Sequence, residues 1–277
     1  MIFGVIPKTD WKQGGWSTDD IVHSRCQERI SIIIPALNEA ARLAACLPAS
    51  SNDVEVIVAD GGSRDGTPQA AEARGWRVCL SEPGRAKQMN AGAELASGEI
   101  LLFLHADTRL PENFAVHVHR ILANPDFIAG AFRLRIDSEL RGIRAIETLA
   151  NWRSIHWQMP YGDQAIFLRA ERFRAIGGFP YLPIMEDVEL IRRLRKQGRI
   201  GIAPVPAVTS ARRWVEKGLW KTTLHNQAYL AAYYLGVPPS RIRDWYDGGK
   251  RSQVRWKEQS QKTGHMRENT WGVRHGR

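Results

Sequence analysis

Two stretches of sequence decide the fold. Residues 32–39 read Ile-Ile-Ile-Pro-Ala-Leu-Asn-Glu, and residues 54–67 read Val-Glu-Val-Ile-Val-Ala-Asp-Gly-Gly-Ser-Arg-Asp-Gly-Thr. Each begins as a β-branched run and stops abruptly in polar residues and glycine, which is typical of a buried parallel strand ending at the carboxyl edge of a sheet. Open α/β sheets bind their ligands at that edge. A third run, residues 99–107, ends in the same way at Asp107.

Strands and helices alternate along the chain from Ile30 onwards. The pattern predicts strands at 30–34, 54–59, 77–80 and 99–104, with helices at 39–47, 67–73 and 86–96 between them. Such alternation indicates a parallel sheet with right-handed crossovers. The second half is more mixed, with helices predicted at 113–122, 172–176, 186–197 and 217–235 and strands at 128–136 and 164–168. We therefore expect an α/β fold with a Rossmann-like, mostly parallel sheet flanked by helices and a mixed C-terminal half.

The length of 277 residues suits one large domain with appendages. Residues 1–29 are polar and show no period, which predicts a loosely ordered N-terminal segment. The domain is expected at 30–244, divided into halves at 30–110 and 111–244. Residues 245–277 carry eight basic against three acidic side chains beyond Trp245, which predicts a disordered basic tail.

The net charge of +10 favours an anionic partner, such as a nucleotide diphosphate, nucleic acid or an acidic membrane surface. The three cysteines are far apart and lack metal-ligand spacing, which indicates neither disulfides nor zinc and favours the reducing cytoplasm. No apolar stretch is long enough to span a bilayer, so the predicted membrane role is peripheral contact at the inner face. The C-terminal helix and tail are the candidates for that contact.

Asp60 and Gly61 begin the first candidate site. A strand-end carboxylate followed by glycines lets a ligand approach the backbone, and Asp60 can accept hydrogen bonds from a base or ribose. The alternative is a glycine-rich turn in which Asp60 caps the next helix. Residues 84–92 then open a helix with two cations, so that Lys87 or Arg85 can face a phosphate, or can equally form a solvated basic turn.

Asp107 is the candidate metal ligand, because its position after an apolar strand places a hard oxygen in the ligand crevice. Mg²⁺ or Mn²⁺ bridging a diphosphate would suit it, whereas the alternative is a helix cap before Pro111. His105 is either a second ligand or a packing residue.

Carboxylates recur in the first turn of the helix predicted at 186–197. Asp187 is the candidate general base for a hydroxyl, in competition with ordinary charge placement at a helix N-terminus. Arg213 and Trp214 offer a cation and an aromatic face to a phosphate or a sugar ring.

Taken in order, these motifs make roughly residues 30–214 resemble the inverting family 2 glycosyltransferases of the GT-A fold. The resemblance implies sugar transfer from a nucleotide diphosphate sugar to a hydroxyl acceptor, by single displacement with Mg²⁺ or Mn²⁺. It implies that Asp187 is the catalytic base and that Asp107 is the metal ligand. The implied nucleotide-sugar site comprises Pro35, Asn38, Glu39, Asp60, Gly61, Lys87, Asn90, His105 and Asp107. The implied acceptor or diphosphate site comprises Gly162, Asp163, Gln164, Glu186, Arg213 and Trp214.

The chain departs from the family pattern in two places. His105 stands where the family's DxD motif has its first aspartate, and residues 210–214 read Ser-Ala-Arg-Arg-Trp where processive members have Gln-x-x-Arg-Trp. The chain is thus most similar to a small soluble bacterial branch, some members of which are associated with arsenosugar biosynthesis. The expected acceptor is a small molecule or is lipid-linked. The alternatives are a sugar-phosphate nucleotidyltransferase, which should show a basic glycine-rich loop after the first strand, and a basic nucleic-acid-binding protein, the less favoured reading.

Overall fold

A computed structural model of the chain describes residues 28–46 and 53–248. They form an α/β fold in which helices flank an eight-stranded mixed sheet of order β3-β2-β1-β4-β7-β6-β8-β5. The strands are β1 (Ile30–Ala36), β2 (Val54–Asp60), β3 (Arg77–Leu80), β4 (Ile100–Phe103), β5 (Thr108–Arg109), β6 (Phe127–Asp137), β7 (Phe167–Arg169) and β8 (Arg199–Ser210). Of the terminal segments predicted at 1–29 and 245–277, residues 1–27 and 249–277 lie outside the described residues.

The helices of this part of the chain connect and cover the strands. They are α1 (Ala40–Cys46), α2 (Thr67–Glu72), α3 (Arg85–Leu95), α4 (Phe114–Ala123), α5 (Ile143–Trp157), α6 (Ala170–Ala175), α7 (Glu186–Arg195), α8 (Arg212–Lys217), α9 (Leu219–Tyr234) and α10 (Pro239–Tyr246). A 3-10 helix covers Gly162–Gln164. None of the helices in the described ranges combines the length and apolar character that a bilayer crossing requires.

The first four strands are parallel, as predicted. β1 pairs with β2 and β4, and β2 pairs with β3. Every residue of β1 and β2 is buried, and alternate residues serve opposite faces: Ile32 packs into one core cluster and Ile33 into the other. Because both faces are covered, these strands are continuous apolar runs, and their carboxyl ends meet at one edge.

The second half of the sheet is mixed. β7 runs antiparallel to β4 and β6, and β8 runs parallel to β6. β7 begins at Phe167 rather than at the predicted residue 164, because residues 162–164 form the 3-10 helix. β8 and α5 were not predicted.

The helix predicted at 217–235 corresponds to α9, and the short α8 that precedes it was not predicted. Gly218 has φ +86° and separates α8 from α9. That left-handed conformation favours glycine and ends the first helix. Of the sixteen residues in α9, only Thr222 is buried.

Glu55 is the second residue of β2 and stabilises the edge of the sheet where the parallel strands begin. Its side chain is 5% exposed, accepts hydrogen bonds from Ser31 Oγ and from the Ser97 and Gly98 N–H groups, and pairs with Arg77 at 3.1 Å. Burial alone would raise the pKa of Glu55, but the hydrogen bonds from Ser31 and Ser97 and the Arg77 interaction lower it from 4.5 to about 2.

Glu55 should therefore make stability depend on pH. The folded pKa lies below the unfolded value, so the ionised group stabilises the fold above about pH 4.5 and loses that effect as the pH falls towards 2. At pH 7, Glu55→Gln should lower the free energy of unfolding by up to about 3 kcal/mol. Denaturant unfolding should show the difference from wild type shrinking below pH 4.5. The exposed Glu94→Gln is the control, and a difference independent of pH would contradict the assignment.

Candidate active site at the carboxyl edge

Asp60 ends β2 at the carboxyl edge and is 1% exposed. Its Oδ2 accepts hydrogen bonds from the N–H groups of Gly62 and Ser63, both at 2.9 Å. Its Oδ1 is buried and has no hydrogen-bond partner among the described residues. Buried carboxylate oxygens are normally satisfied, so this atom is available to a donor group on a ligand.

The loop after β1 is fastened to the loop after β2. Asn38 has φ +57°, its N–H donates to Ser63 Oγ at 2.8 Å, and its Oδ1 accepts from Arg64 N–H at 2.9 Å. The Glu39 N–H donates to Thr67 Oγ1 at 2.9 Å. Pro35 lies inside β1 and is buried. These residues therefore shape the loops around Asp60.

Gln88 supports this edge and was missed by the sequence analysis. It is 3% exposed, and its Nε2 donates to the Ala36 carbonyl at 2.7 Å and to the Ala59 carbonyl at 2.9 Å. A Cβ at Gly61 would lie 3.1 Å from that amide. Gly61 thus lets Gln88 hold the ends of β1 and β2 together. The signal available in the sequence was only a polar residue on the inner face of a predicted helix.

Lys87 and Asn90 lie on α3 but differ in environment. Lys87 is exposed and pairs with Glu82. Asn90 is 9% exposed and faces Phe179: its Nδ2 donates to the Phe179 carbonyl, and its Oδ1 accepts the Phe179 N–H, both at 2.9 Å. Both ends of the Asn90 amide are therefore engaged by the loop that precedes α7.

His105 and Asp107 follow β4 and are half-buried. Burial and the Arg85 charge lower the pKa of His105 to about 4, against the opposing effect of Asp107, so its imidazole is neutral at pH 7. Within the described ranges, no group of three or more His, Cys, Asp or Glu side chains is placed to hold a metal ion. A carboxylate and a neutral imidazole are suitable metal donors, but the remaining ligands would have to come from a bound substrate.

Gly162 brings the carboxyl edge of the sheet next to the first turn of α7. Its N–H donates to Asp187 Oδ2 at 2.8 Å. A Cβ at Gly162 would lie 2.9 Å from His105 Nε2 and 3.2 Å from that same Asp187 oxygen. His105 and Asp187, predicted separately, therefore lie close together beside one glycine.

Asp187 is placed by the start of α7. Met185 caps that helix with φ +68°, and Asp187 Oδ1 accepts the Val188 N–H at 2.8 Å. A helix N-terminus stabilises negative charge, so the backbone favours the ionised carboxylate. Both Asp187 oxygens are held in place while the side chain stays half-buried beside the cleft.

Asp163 and Tyr161 contribute unsatisfied polar atoms beside Asp187. Asp163 Oδ1 and the Tyr161 hydroxyl are buried without a hydrogen-bond partner in the part of the chain that is described. Burial and nearby Asp187 raise the pKa of Asp163. Burial raises the pKa of Tyr161 to about 12, although the Arg153 guanidinium stacks on its ring at 3.5 Å.

Arg85 was named only as an alternative to Lys87, yet it is the cation that reaches the cleft. Its Nε lies 2.8 Å from Oε1 of Glu186, which is 2% exposed. Desolvation would lower the pKa of Arg85, but Glu186 and Asp187 raise it. The ion pair joins α3 of the first half to α7 of the second.

The remaining predicted residues of the second half lie in three different environments. They are Gln164, Trp214 and Arg213. Gln164 is fully buried; its Oε1 accepts from Ser154 Oγ at 2.8 Å and its Nε2 donates to the Phe132 carbonyl at 2.9 Å. Trp214 packs against a small apolar cluster of β6 and α5. Arg213 is exposed on α8, close enough for its charge to act on Asp163.

Comparison with known proteins identifies the class. The model of "Glycosyl transferase family 2" matches residues 31–177. The chain therefore belongs to glycosyl transferase family 2.

Curated relatives are similar over part of the chain. Glucosyl-3-phosphoglycerate synthase of Mycobacterium tuberculosis is 31% identical over 119 residues, which cover 38% of this chain and 37% of the relative. A PGL/p-HBAD biosynthesis glycosyltransferase of Mycobacterium bovis is 42% identical over 93 residues, covering 30% of this chain and 36% of the relative. The matches thus span little more than a third of these relatives' lengths.

Solved structures share the fold. A mannosyltransferase of Pyrobaculum calidifontis in complex with GDP-Man and Mn²⁺ matches with TM-score 0.53 and 25% identity, covering 66% of this chain and 56% of the other. Glucosyl-3-phosphoglycerate synthase of Mycobacterium tuberculosis, in complex with Mn²⁺, UDP and glucosyl-3-phosphoglycerate, matches with TM-score 0.53 and 19% identity, covering 83% and 88%. The predicted GT-A fold is confirmed, whereas the arsenosugar-associated branch stays a prediction.

A substitution at Asn90 tests whether this residue supports the fold rather than binds a ligand. Asn90→Ala would leave the buried N–H and carbonyl of Phe179 without partners, so it should lower the free energy of unfolding by about 2–3 kcal/mol. Chemical denaturation without any nucleotide measures this. The exposed Asn113, whose side chain makes no capping hydrogen bond, gives the control Asn113→Ala. Unchanged stability in Asn90→Ala would show that the Phe179 contacts are dispensable.

Proposed function

We propose that this glycosyltransferase moves a sugar from a nucleotide diphosphate sugar to a hydroxyl acceptor by inverting single displacement, with a divalent metal. One observation carries the proposal: Asp187 and His105 both lie against Gly162, where the carboxyl edge of the sheet meets the second half. A base in that place faces the sugar that a nucleotide on the sheet edge would present. Residues 30–110 are then the donor half and residues 111–244 the acceptor half.

The donor site is proposed along the ends of β1, β2 and β4. Asp60 Oδ1 is free to accept a hydrogen bond from the base or ribose, and the joined loops containing Asn38 and Glu39 border that position. Asp107, with His105 beside it, would hold Mg²⁺ or Mn²⁺ together with the diphosphate oxygens. Such a metal offsets the negative charge that builds on the leaving diphosphate. The Mn²⁺ in the similar mannosyltransferase supports this assignment.

Asp187 is proposed to take the proton of the acceptor hydroxyl as that oxygen attacks the anomeric carbon. Attack from the face opposite the diphosphate inverts the configuration, and the fixed carboxylate lowers the cost of bringing base and nucleophile together. The free Asp163 oxygen and Tyr161 hydroxyl are placed to bind further polar groups of the acceptor. Arg85 and Glu186 keep α7, and therefore Asp187, against the donor half.

The two alternatives receive less support. A nucleotidyltransferase should have a basic glycine-rich loop after β1, but residues 35–39 read Pro-Ala-Leu-Asn-Glu. A nucleic-acid-binding protein would account for the net charge but leaves the buried carboxylates of the cleft without a role. A cytoplasmic location, with access to a small or a lipid-linked acceptor, stays a prediction.

The base assignment predicts that Asp187→Asn loses transfer and keeps donor binding. Asparagine can still accept the Gly162 N–H but cannot take up a proton at neutral pH, so turnover should fall by at least about 100-fold. Release of nucleoside diphosphate from the donor, with water or an added acceptor as nucleophile, measures turnover, and calorimetry measures donor affinity. The exposed Asp244→Asn is the matched control. Turnover within a few-fold of wild type would refute the role of Asp187.

The metal assignment predicts that Asp107→Ala removes the dependence of nucleotide binding on Mn²⁺. Wild-type protein titrated with UDP and with GDP should bind one of them more tightly when Mn²⁺ is present, because the metal screens the diphosphate charge. In the variant, affinity should be equally weak with and without Mn²⁺. Asp126→Asn, an exposed carboxylate on the loop before β6, serves as the control. Retained metal dependence in Asp107→Ala would place the ion elsewhere.

A further inference from the structure

A cavity of about 410 Å³ lies among α8, α9 and α10. Arg213 and Lys217 line it from α8, Lys221 and His225 from α9, and Tyr246 from α10. We call this space the basic cavity. The assignments made so far use only Arg213 at its rim.

The positive charge of the basic cavity is largely unneutralised. Arg213, Lys217 and Lys221 contribute three cations, whereas Glu216 is the one carboxylate in the lining. None of the three cations has a carboxylate within ion-pair distance in the described part of the chain. Cations gathered in a concave surface raise the local concentration of anions. The lining therefore has the charge of an anion-binding site.

Two of these cations converge on a single aromatic ring. The Arg213 guanidinium lies 5.5 Å and the Lys217 ammonium 5.7 Å from the centre of the Tyr246 ring. Arg243 lies 5.8 Å from the same ring but is paired with Asp247 at 2.8 Å. Arg213 and Lys217 are also four residues apart on α8, where like charges repel one another, so an anion bound between them would relieve an unfavourable interaction.

The rest of the lining suits an organic molecule better than a bare ion. Tyr229 and Tyr246 form an aromatic wall with ring centres 5.9 Å apart, and Thr222 and Asn226 add neutral hydrogen-bonding groups. Aromatic faces pack against carbon and ring surfaces, while the cations would hold a phosphate. The chemistry is that of a phosphorylated small molecule or headgroup.

The basic cavity adjoins the proposed active site. Arg213 lies close enough to Asp163 for its charge to affect that carboxyl group. Burial raises the pKa of Asp163, and the Arg213 charge opposes this effect. Arg243 of α10 donates from Nη1 to the Pro183 carbonyl at 3.1 Å, so α10 packs against the loop that leads into the helix carrying Asp187. A molecule with one end in the cavity could therefore extend towards Asp187.

We propose that the basic cavity binds a phosphate group of the acceptor and so directs its hydroxyl towards Asp187. The inference rests on the proposed function, because it takes the side of the cleft nearest Asp187 to be the acceptor side. It assigns binding roles to Lys217 and Lys221, which the sequence analysis did not select. Inorganic phosphate is the probe, because a phosphate group is what soluble and lipid-linked acceptors of this kind would have in common.

The test is calorimetric titration of the full-length protein with inorganic phosphate, with the donor site first saturated by a nucleoside diphosphate and Mg²⁺. Wild-type protein should bind one phosphate, and the double variant Lys217→Ala/Lys221→Ala should bind it at least about tenfold more weakly. Lys196→Ala, which removes an exposed lysine at the end of α7, should bind phosphate as wild type does. All three proteins should bind the nucleotide equally.

The result distinguishes this inference from the proposed function. Nucleotide binding without a saturable phosphate site, or a site unchanged in the double variant, would overturn the inference and leave the proposed function standing. Absence of nucleotide binding would instead count against the proposed function. The phosphate titration without nucleotide would still show whether the basic cavity binds phosphate.

Vesicles identify the source of the phosphate. Sedimentation with phosphatidylglycerol vesicles but not phosphatidylcholine vesicles, lost in the double variant, would indicate a lipid-linked acceptor. Phosphate binding without vesicle binding would indicate a soluble phosphorylated acceptor. Vesicle binding that persists in the double variant, together with failure to bind phosphate, would contradict the proposal.

Discussion

The close contact of Gly162 with His105 and Asp187 is the constraint on which the site depends. The glycine N–H donates to Asp187 at 2.8 Å, and a side chain there would collide with His105. Because only glycine permits that approach, the end of β4, the 3-10 helix and the first turn of α7 must keep their positions together. This contact gives the carboxyl edge of the sheet and Asp187 a common boundary.

The polar residues around that boundary fall into two groups. Gln88, Asn90 and Gln164 have their amides engaged by backbone or neighbouring side chains, so they fix the strands and loops that form the cleft. Asp60 and Asp163 each keep a buried oxygen without a partner in the described structure. Leaving such atoms unsatisfied costs free energy that a substrate can recover. Among these five side chains, a buried oxygen without a partner thus separates the two proposed to bind ligands from the three that support the fold.

Features that depend on a local sequence pattern could be predicted from the sequence. The fully buried strands and the carboxylates at their ends, Asp60 and Asp107, followed from β-branched runs that stop at the sheet edge. The pairing of Arg85 with Glu186 could not be predicted, since the residues are far apart in sequence and only tertiary packing joins them. The internal role of Asn90 likewise depends on a loop about ninety residues away. Strand β8 was missed because it carries exposed and half-buried positions and two prolines.

The central claim is that a metal-bound nucleotide diphosphate occupies the sheet edge beside Gly162 and Asp187. Anomalous diffraction from crystals grown with Mn²⁺ and UDP or GDP tests it most directly, because manganese is located independently of the protein density. The account predicts one strong peak at coordination distance, roughly 2 Å, from an Asp107 oxygen and in contact with the diphosphate. A nucleotide bound with its metal away from Asp107, or bound outside the cleft between Asp60 and Asp187, would contradict it.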